Sequence, residues 1–385
     1  MRNRWKWVVA SVCLVSMLTG AQAQAQGQGQ FAFGADYVGR EACSECHSEI
    51  YETFMKSGHP YKLNKVVDGQ PPVYPFTEVL DVPVGYTWDD ISYVIGGYNW
   101  KARFIGKDGF IITGDGAEPF GAQYNFANPI VGNDPHWVPY HQGEKKPYNC
   151  GPCHTTGYSN EPDTHQDGLP GLIGTWTEPG VQCEACHGPS SLHVANPRGV
   201  RPIVDRTSDQ CGKCHYRGVP ETVDAKGGFI KHHEQYEELF QSKHMALDCI
   251  DCHDPHAGVI ALRKADVPAT RTQCANCHFK EEKYQASAVM KAMVDCIDCH
   301  MPRVTKSAVG NAAMFTGDIR THLMAIDATL PTQFTEDGKF TLSQIGLDFG
   351  CRSCHVADGI ATNYTDRELM EEAYNYHARP ATLPE

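Results

Sequence analysis

The residues with the most evident chemistry are pairs of cysteines that are followed directly by a histidine. The pentapeptide Cys-x-x-Cys-His occurs eight times and uses 16 of the 17 cysteines. Two thiols three positions apart lie on one side of a helical turn, where both can bond to one porphyrin while the adjacent imidazole ligates its iron. This is the attachment motif of c-type haem. The predicted attachment cysteines are Cys43, Cys46, Cys150, Cys153, Cys183, Cys186, Cys211, Cys214, Cys249, Cys252, Cys274, Cys277, Cys296, Cys299, Cys351 and Cys354. The motif histidines, predicted to be the proximal iron ligands, are His47, His154, His187, His215, His253, His278, His300 and His355.

Two other uses of so many cysteines do not fit this pattern. A disulfide framework gives no reason for a histidine after every pair. A zinc array could use Cys-x-x-Cys knuckles, but a histidine directly beside the second cysteine does not match the usual second ligand pair. The sequence therefore predicts eight covalently attached haem c groups.

The first residues predict export. Residues 1–25 have the pattern of a signal peptide, with Arg2, Arg4 and Lys6 before an apolar run at 7–18 and small residues after it. The one unpaired cysteine, Cys13, lies in that run. We expect a periplasmic, extracellular or cell-surface protein without a transmembrane segment. The net charge of −13 argues against nucleic-acid partners.

The spacing of the motifs predicts the organisation of the chain. The first gap, from Cys43 to Cys150, is much the longest. Its residues 101–105 and 110–113 read as two strands joined by a Gly-Lys-Asp-Gly turn. We therefore predict a first haem segment at 26–61, a small β-containing insertion at 62–145 and a seven-haem domain at 146–385. The fold class is predicted as mainly α, with much irregular structure organised around the haems. Thr365 and Glu368 predict a capping box at the start of a last helix that runs to about residue 376.

Two internal repeats suggest distal ligands. Residues 51–59 align without gaps with residues 236–244, and both copies end in Ser-x-His. Residues 248–256 also align with 295–303, but there His256 is replaced by Arg303, and the preceding His244 by Lys291. The haem of Cys296 is therefore expected to take its sixth ligand from distant sequence, His322 or His377. Lys291, Met290, Met293 or a vacant position are the alternatives.

Eleven histidines lie outside the motifs, which is enough to make every iron bis-histidine. His165 and one of His136 and His141 are interpreted as ordinary surface or core residues rather than ligands. His232 and His233 are expected on different sides of a helix, so that only one of them is a ligand. His193 and His256 stand too near their own motifs and are expected to ligate neighbouring haems. The predicted distal ligands are His59, His141, His193, His232, His244, His256, His322 and His377.

Several segments resemble the multihaem cytochrome c superfamily, which contains hydroxylamine oxidoreductase, its tetrahaem electron acceptor, pentahaem nitrite reductase and octahaem reductases. They include Tyr-Val-Gly-Arg-Glu-Ala-Cys-Ser-Glu-Cys-His at 37–47, Ser-Gly-His at 57–59, Tyr-Asn-Cys-Gly-Pro-Cys-His-Thr-Thr-Gly at 148–157, Gly-Val-Gln-Cys-Glu-Ala-Cys-His-Gly-Pro at 180–189, and 249–256. The resemblance, scattered over residues 37–355, implies a mostly α-helical fold with haems in parallel and perpendicular pairs. The nitrite reductases carry a Cys-x-x-Cys-Lys motif at their active-site haem, and this sequence contains none. Hydroxylamine oxidoreductase crosslinks a tyrosine to its catalytic haem, and no tyrosine here is matched to that role. The resemblance therefore extends to haem binding and not to catalysis.

Two functional hypotheses follow. A six-coordinate haem mainly passes electrons, whereas an open position permits chemistry. The surplus of histidines favours an electron-transfer protein, with other cytochromes or a quinol-linked donor as redox partners. The alternative is an oxidoreductase that acts on a small nitrogen or sulfur compound at one open haem, either that of His300 or the first haem beneath the insertion. A filament or other homo-oligomer, in which a spare histidine ligates an iron of the next copy, is compatible with the sequence.

Overall fold

The computed structural model describes residues 34–285 and 287–378. The predicted signal peptide and Cys13 lie outside the described residues. Within the described part of the chain, no helix has the length and apolar character needed to cross a bilayer. Most of the chain forms short elements, so the fold is best described from its sheets outwards.

The largest element is a seven-stranded sheet built from the first long gap between motifs. Its main path runs β1-β2-β3-β4-β7, with β5 paired to β3 and β6 to β5. The predicted hairpin is confirmed, because β3 and β4 pair antiparallel through Ile105 and Ile111. One face packs Ile91, Val94 and Phe104 into an apolar core. The strands are β1 (Leu63–Lys65), β2 (Ile91–Gly96), β3 (Lys101–Gly106), β4 (Phe110–Ile111), β5 (Gln123–Asn125), β6 (His136–Val138) and β7 (Lys146–Pro147).

Two smaller sheets follow. The strands β8 (Thr155–Thr156) and β9 (Glu178–Pro179) form an antiparallel pair directly after the second haem motif. A four-stranded sheet has the order β10-β11-β12-β13, in which β11 and β12 are parallel. Phe229, Ile230 and Val304 are buried in its core. Its strands are β10 (Ala225–Lys226), β11 (Phe229–Lys231), β12 (Thr305–Asn311) and β13 (Thr316–Ile319).

The helices are short, and the prediction of a mainly α fold is wrong in this respect. Helix accounts for 26% and strand for 18% of the structure. Helices of one or two turns are not stable alone in water, so these depend on their packing. The α-helices are α1 (Arg40–Ser44), α2 (Ser48–Phe54), α3 (Gly151–His154), α4 (Cys183–His187), α5 (Ser191–Ala195), α6 (Ser208–Gly212), α7 (Gln235–Gln241), α8 (Cys249–Cys252), α9 (Val259–Lys264), α10 (Phe279–Lys283), α11 (Ala288–Met293), α12 (Cys296–His300), α13 (Leu347–Gly350) and α14 (Asp366–Ala373).

The last helix begins as the sequence predicts. The Thr365 hydroxyl accepts a hydrogen bond from the backbone N–H of Glu368, and the Glu368 carboxylate accepts one from the backbone N–H of Thr365 at 2.7 Å. This reciprocal capping box satisfies two free donors at the start of α14. The helix ends at Ala373, three residues before the predicted end.

Buried carboxylates join segments that are distant in sequence. The side chain of Glu184 is almost fully buried and accepts hydrogen bonds from the backbone N–H groups of Val38, Gly39 and Ser190. Glu238 on α7 is buried and accepts from Thr321 and from the backbone N–H of His322. Since a buried charge needs such partners, both carboxylates hold neighbouring motif segments in place.

Candidate haem-binding sites

Each of the eight motifs occupies a single tight turn. In the first, the backbone N–H of His47 donates to the carbonyl of Cys43 at 2.9 Å, and His154 donates to Cys150 in the same way at 3.1 Å. This turn brings the two cysteines of a motif to one side of the chain, as a doubly attached porphyrin requires. None of the sixteen cysteines in the described residues forms a disulfide.

Six of the motif histidines face a second histidine from elsewhere in the chain. Their ring centres lie 5.8 to 6.4 Å apart. Two imidazoles that ligate one iron from opposite sides, each at about 2 Å, leave their ring centres roughly 6 Å apart. The spacing is too wide for direct ring contact and fits an iron between the rings. The pairs are His47 with His193, His215 with His59, His187 with His256, His278 with His244, His253 with His322, and His300 with His377.

Hydrogen bonds orient several of these rings. Nδ1 of His193 lies 2.7 Å from the carbonyl of Val200, and Nδ1 of His377 lies 2.9 Å from the carbonyl of Glu281. Nδ1 of His300 lies 2.8 Å from the carbonyl of Met324. A ring that donates from Nδ1 to a carbonyl has its lone pair on Nε2, which then points at the paired ring. The residues therefore fit the haem group that the motifs predict.

Buried imidazoles in these pairs are held neutral, as iron ligation requires. Burial lowers the pKa of His59 to about 3, with smaller contributions from Lys62 and His215. Burial likewise lowers the pKa of His253 to about 4.

The pairing explains the repeats in the sequence. His59 and His244, which end the two copies of the first repeat, both face a motif histidine. The ring that faces His300 comes from the far end of the chain, since Lys291 and Arg303 replace the histidines of the sister unit. His193 and His256 each face the histidine of another motif rather than their own.

Two motif histidines in the described residues have no histidine ring at that spacing. They are His154 in the second motif and His355 in the eighth. Nδ1 of His355 lies 2.8 Å from the carbonyl of Thr362, so its Nε2 is free for iron. The ring centre of Tyr364 lies 5.3 Å from that of His355, closer than the spacing of the six pairs.

A group of cationic and imidazole side chains, hereafter the cationic cluster, lies beside His154. It consists of Lys62, Arg103, Arg217 and His233, which are close to His154, and of Lys101 and His232, which adjoin them. Burial lowers the pKa of His154 to about 3, with contributions from Lys62, Arg217 and Arg103. Burial also lowers the pKa of Lys101 to about 7, and neighbouring Arg103 and Arg217 contribute to that shift.

The strands of the large sheet position part of this cluster. Lys101 and Arg103 stand two positions apart on β3 and therefore on the same face of the sheet. The Arg103 guanidinium stacks on Tyr140 at 3.6 Å and its Nε donates to Gln123 at 2.7 Å. Both cations are partly buried, and desolvation lowers the pKa of each.

Five histidines lie outside both the motifs and the six pairs, and two of them, His232 and His233, belong to the cationic cluster. His232 and His233 stand in a turn rather than a helix, with ring centres 3.9 Å apart, so the expectation of opposite helix sides is wrong. His141 is on the surface with Nδ1 2.8 Å from Glu144, and it faces no motif histidine in the described residues. His136 contacts Asn125, and Nδ1 of His165 lies 2.9 Å from the carbonyl of Leu172.

Contacts between cysteines show which motifs are neighbours. The Cys43 thiol is within hydrogen-bonding reach of Cys183, Cys153 of Cys214, Cys211 of Cys249, and Cys274 of Cys296. Cys186 lies near Cys211, Cys252 near Cys277, and Cys299 near Cys351. The motifs therefore form a series in the order first, third, fourth, fifth, sixth, seventh and eighth, and the second adjoins the fourth.

Sequence reasoning missed the cationic cluster. Lys101 and Arg103 alternate on a predicted strand, which indicates a shared face, but nothing in the sequence assigned that face to the second motif. The sequence predicts the insertion over the first haem, and the structure in addition places Arg103 of its β3 near His154.

Comparisons with known proteins agree with this arrangement. A family model described as cytochrome c554 and c-prime matches residues 136–188, which contain the second and third motifs. The chain is similar in structure to the octahaem sulfite reductase MccA of Wolinella succinogenes, with a TM-score of 0.59 and 17% identity over 89% of this chain and 71% of that one. It is also similar to the outer cell wall cytochrome OcwA, with a TM-score of 0.52 and 18% identity over 87% and 86% of the two chains. No curated protein matches the chain by sequence. The fold is that of the multihaem c-type cytochromes.

Proposed function

We propose that this multihaem cytochrome carries eight haem c groups, one at each motif, and relays electrons along them as an exported electron-transfer protein. The observation that carries the proposal is the set of six histidine pairs with ring centres 5.8 to 6.4 Å apart. Iron with two imidazole ligands is six-coordinate and suited to passing electrons rather than binding substrate.

The residues of the chain determine the geometry of this relay. Bound haem supplies the electron-transfer chemistry, and the protein supplies the spacing of the groups and the orientation of their ligands. The cysteine contacts keep successive motifs adjacent from the first to the eighth. The backbone carbonyls of Val200, Glu281 and Met324 hold ligand rings in place from the side remote from iron.

The proposed location and partners follow from the sequence. The signal-peptide pattern at 1–25 supports export to the periplasm or the cell surface, and the OcwA structure is named as an outer cell wall cytochrome. The chain would exchange electrons with other cytochromes or with a quinol-linked donor.

Intact mass spectrometry and electron paramagnetic resonance test the proposal. We expect a mass of the mature chain plus eight haems, and low-spin ferric signals from six of them. A smaller number of attached haems, or high-spin signals from most of them, would contradict the relay.

A second function is favoured by the cationic cluster. We propose that the haem of His154 has an open position at which a small oxyanion of nitrogen or sulfur is bound and reduced. Lys101, Arg103 and Arg217 would bind the negative charge and orient the anion, and the desolvation of Lys101 and Arg103 strengthens such contacts.

Addition of nitrite or sulfite to the oxidised protein tests this second function. We expect a high-spin signal that changes on addition of either anion, and reduction of the anion with a chemical electron donor. If neither anion alters any haem signal, the open site is absent and the relay alone remains.

A further inference from the structure

We infer that His165 of one copy ligates the iron of the eighth haem, at His355, in a second copy of this chain. The inference rests on the proposed attachment of haem at the eighth motif. Within one chain, the eighth motif has no histidine for its sixth iron position, and His165 is oriented like a ligand but faces no motif histidine.

The receiving site is the eighth motif. His355 is oriented as a proximal ligand, because its Nδ1 lies 2.8 Å from the carbonyl of Thr362. No histidine of the described residues faces it, and residues 1–33, 286 and 379–385 contain no histidine. Tyr364, at 5.3 Å between ring centres, is too near to stand across an iron. One chain therefore offers no imidazole for this sixth position.

The donor is oriented as the ligands inside the chain are. Nδ1 of His165 lies 2.9 Å from the carbonyl of Leu172, as Nδ1 of His193 does from Val200 and that of His377 from Glu281. Its lone pair is then on Nε2, and no hydrogen-bond partner of Nε2 is found in the described residues. The ring is half-exposed in the segment between β8 and β9, next to exposed Asp163. It is a ready ligand at the surface.

The other unused histidines are less suitable. Nε2 of His136 already contacts Asn125 at 3.4 Å. His141 is oriented by the exposed side chain of Glu144 rather than by the backbone. His232 and His233 belong to the cationic cluster beside His154. His165 alone combines a backbone-fixed Nδ1 with a free Nε2 at the surface of the described chain.

The geometry of such a bond determines the assembly. Donor and acceptor are different surfaces, so the contact is heterologous and each copy can give one ligand and receive one. Repetition produces a closed ring or an open filament, in which the eighth haem of one copy adjoins the neighbour's segment beside its second motif. Nε2 donates its lone pair to iron, and no electron or proton is exchanged with another reactant.

The test uses the complete haem-loaded protein and the variant His165→Asn. The asparagine amide can keep the hydrogen bond to Leu172 but is a poor iron ligand. We expect wild type to associate with rising concentration in sedimentation velocity, and one haem to change from high-spin to low-spin as it does so. In H165N the association and the spectral change should both be lost. The matched control is H141A, which should behave as wild type.

Two further measurements separate this inference from its alternatives. Free imidazole should convert the eighth haem of H165N to low-spin without restoring association. Mixed with wild type, H165N should shorten the assemblies, because it can receive a ligand but not donate one. If H165N associates like wild type, or if wild type stays monomeric with a low-spin eighth haem, the inference is wrong. Intact mass spectrometry should show eight haems in wild type and in H165N. A failure of the inference is then distinguished from a failure of haem attachment.

Discussion

His47 and His193 face each other with ring centres 6.4 Å apart, although two further haem motifs lie between them in the sequence. Nδ1 of His193 is held by the carbonyl of Val200 at 2.7 Å, which directs Nε2 toward His47. Two rings face each other at a similar spacing in five other pairs, and this arrangement gives the following expectations.

Replacement of His193 by alanine should leave the first haem without its sixth ligand. We expect one low-spin ferric signal to disappear and a high-spin signal to appear, with the other haems unchanged, since each iron reports its own ligands. Electron paramagnetic resonance of the oxidised protein measures this. His136→Ala is the matched control, because His136 faces no motif histidine. An unchanged spectrum in the His193 variant would remove this pair from the ligand set.

The angle between paired rings should be visible in the spectra. The planes of His59 and His215 are 81° apart, whereas those of His47 and His193 are 17° apart. Perpendicular imidazole planes leave two iron d orbitals nearly equal in energy, which enlarges the anisotropy of the ferric signal. We expect at least one strongly anisotropic low-spin signal, and its loss in His59→Ala. Retention of that signal in the variant would assign it to another haem.

Glu184→Gln should destabilise the protein. The buried carboxylate accepts from the backbone N–H groups of Val38, Gly39 and Ser190. The uncharged amide accepts through one oxygen only, so all three donors lose a charged acceptor and at least one of them is left without an acceptor. We expect a loss of roughly 2–4 kcal/mol in the free energy of unfolding, measured by guanidinium denaturation. Glu41→Gln, at an exposed position, is the control, and equal stability of both variants would refute this role for Glu184.

Arg217→Gln should weaken anion binding at the second motif. The loss of one charge-assisted contact costs about 1.5–3 kcal/mol, which is roughly a tenfold to hundredfold rise in the dissociation constant. Titration of the high-spin signal with nitrite measures it. Lys213→Gln, exposed and outside the cluster, is the control. A nitrite affinity that is the same in both variants would mean that Arg217 does not contact the anion.

The sequence predicts the local features of this protein better than its architecture. The motif turns, the hairpin of β3 and β4 and the capping box at Thr365 each depend on residues a few positions apart, and the structure bears them out. The helix content was overestimated because a Cys-x-x-Cys-His turn needs only one turn of helix, as in α3.

Counting the histidines narrows the candidates for distal ligands, but it does not assign each candidate to a motif. The repeats identified His59 and His244 as candidate distal ligands from the residues that precede them in sequence. For His300 the sequence left His322 and His377 open, because the choice depends on how the end of the chain packs against α10, where Glu281 holds the ring of His377. The cationic cluster combines residues of β3, the residue before β1, the turn after β11 and the loop after the fourth motif, so no local pattern contains it.

The fourth motif lies beside three others, since its Cys214 is within hydrogen-bonding reach of Cys153, its Cys211 is within reach of Cys249, and both lie near Cys186. In the proposed relay it is the branch point at which the second motif joins the series. Loss of the haem of His215 would separate the second haem from the others, whereas loss of the eighth haem would only shorten the series at its end.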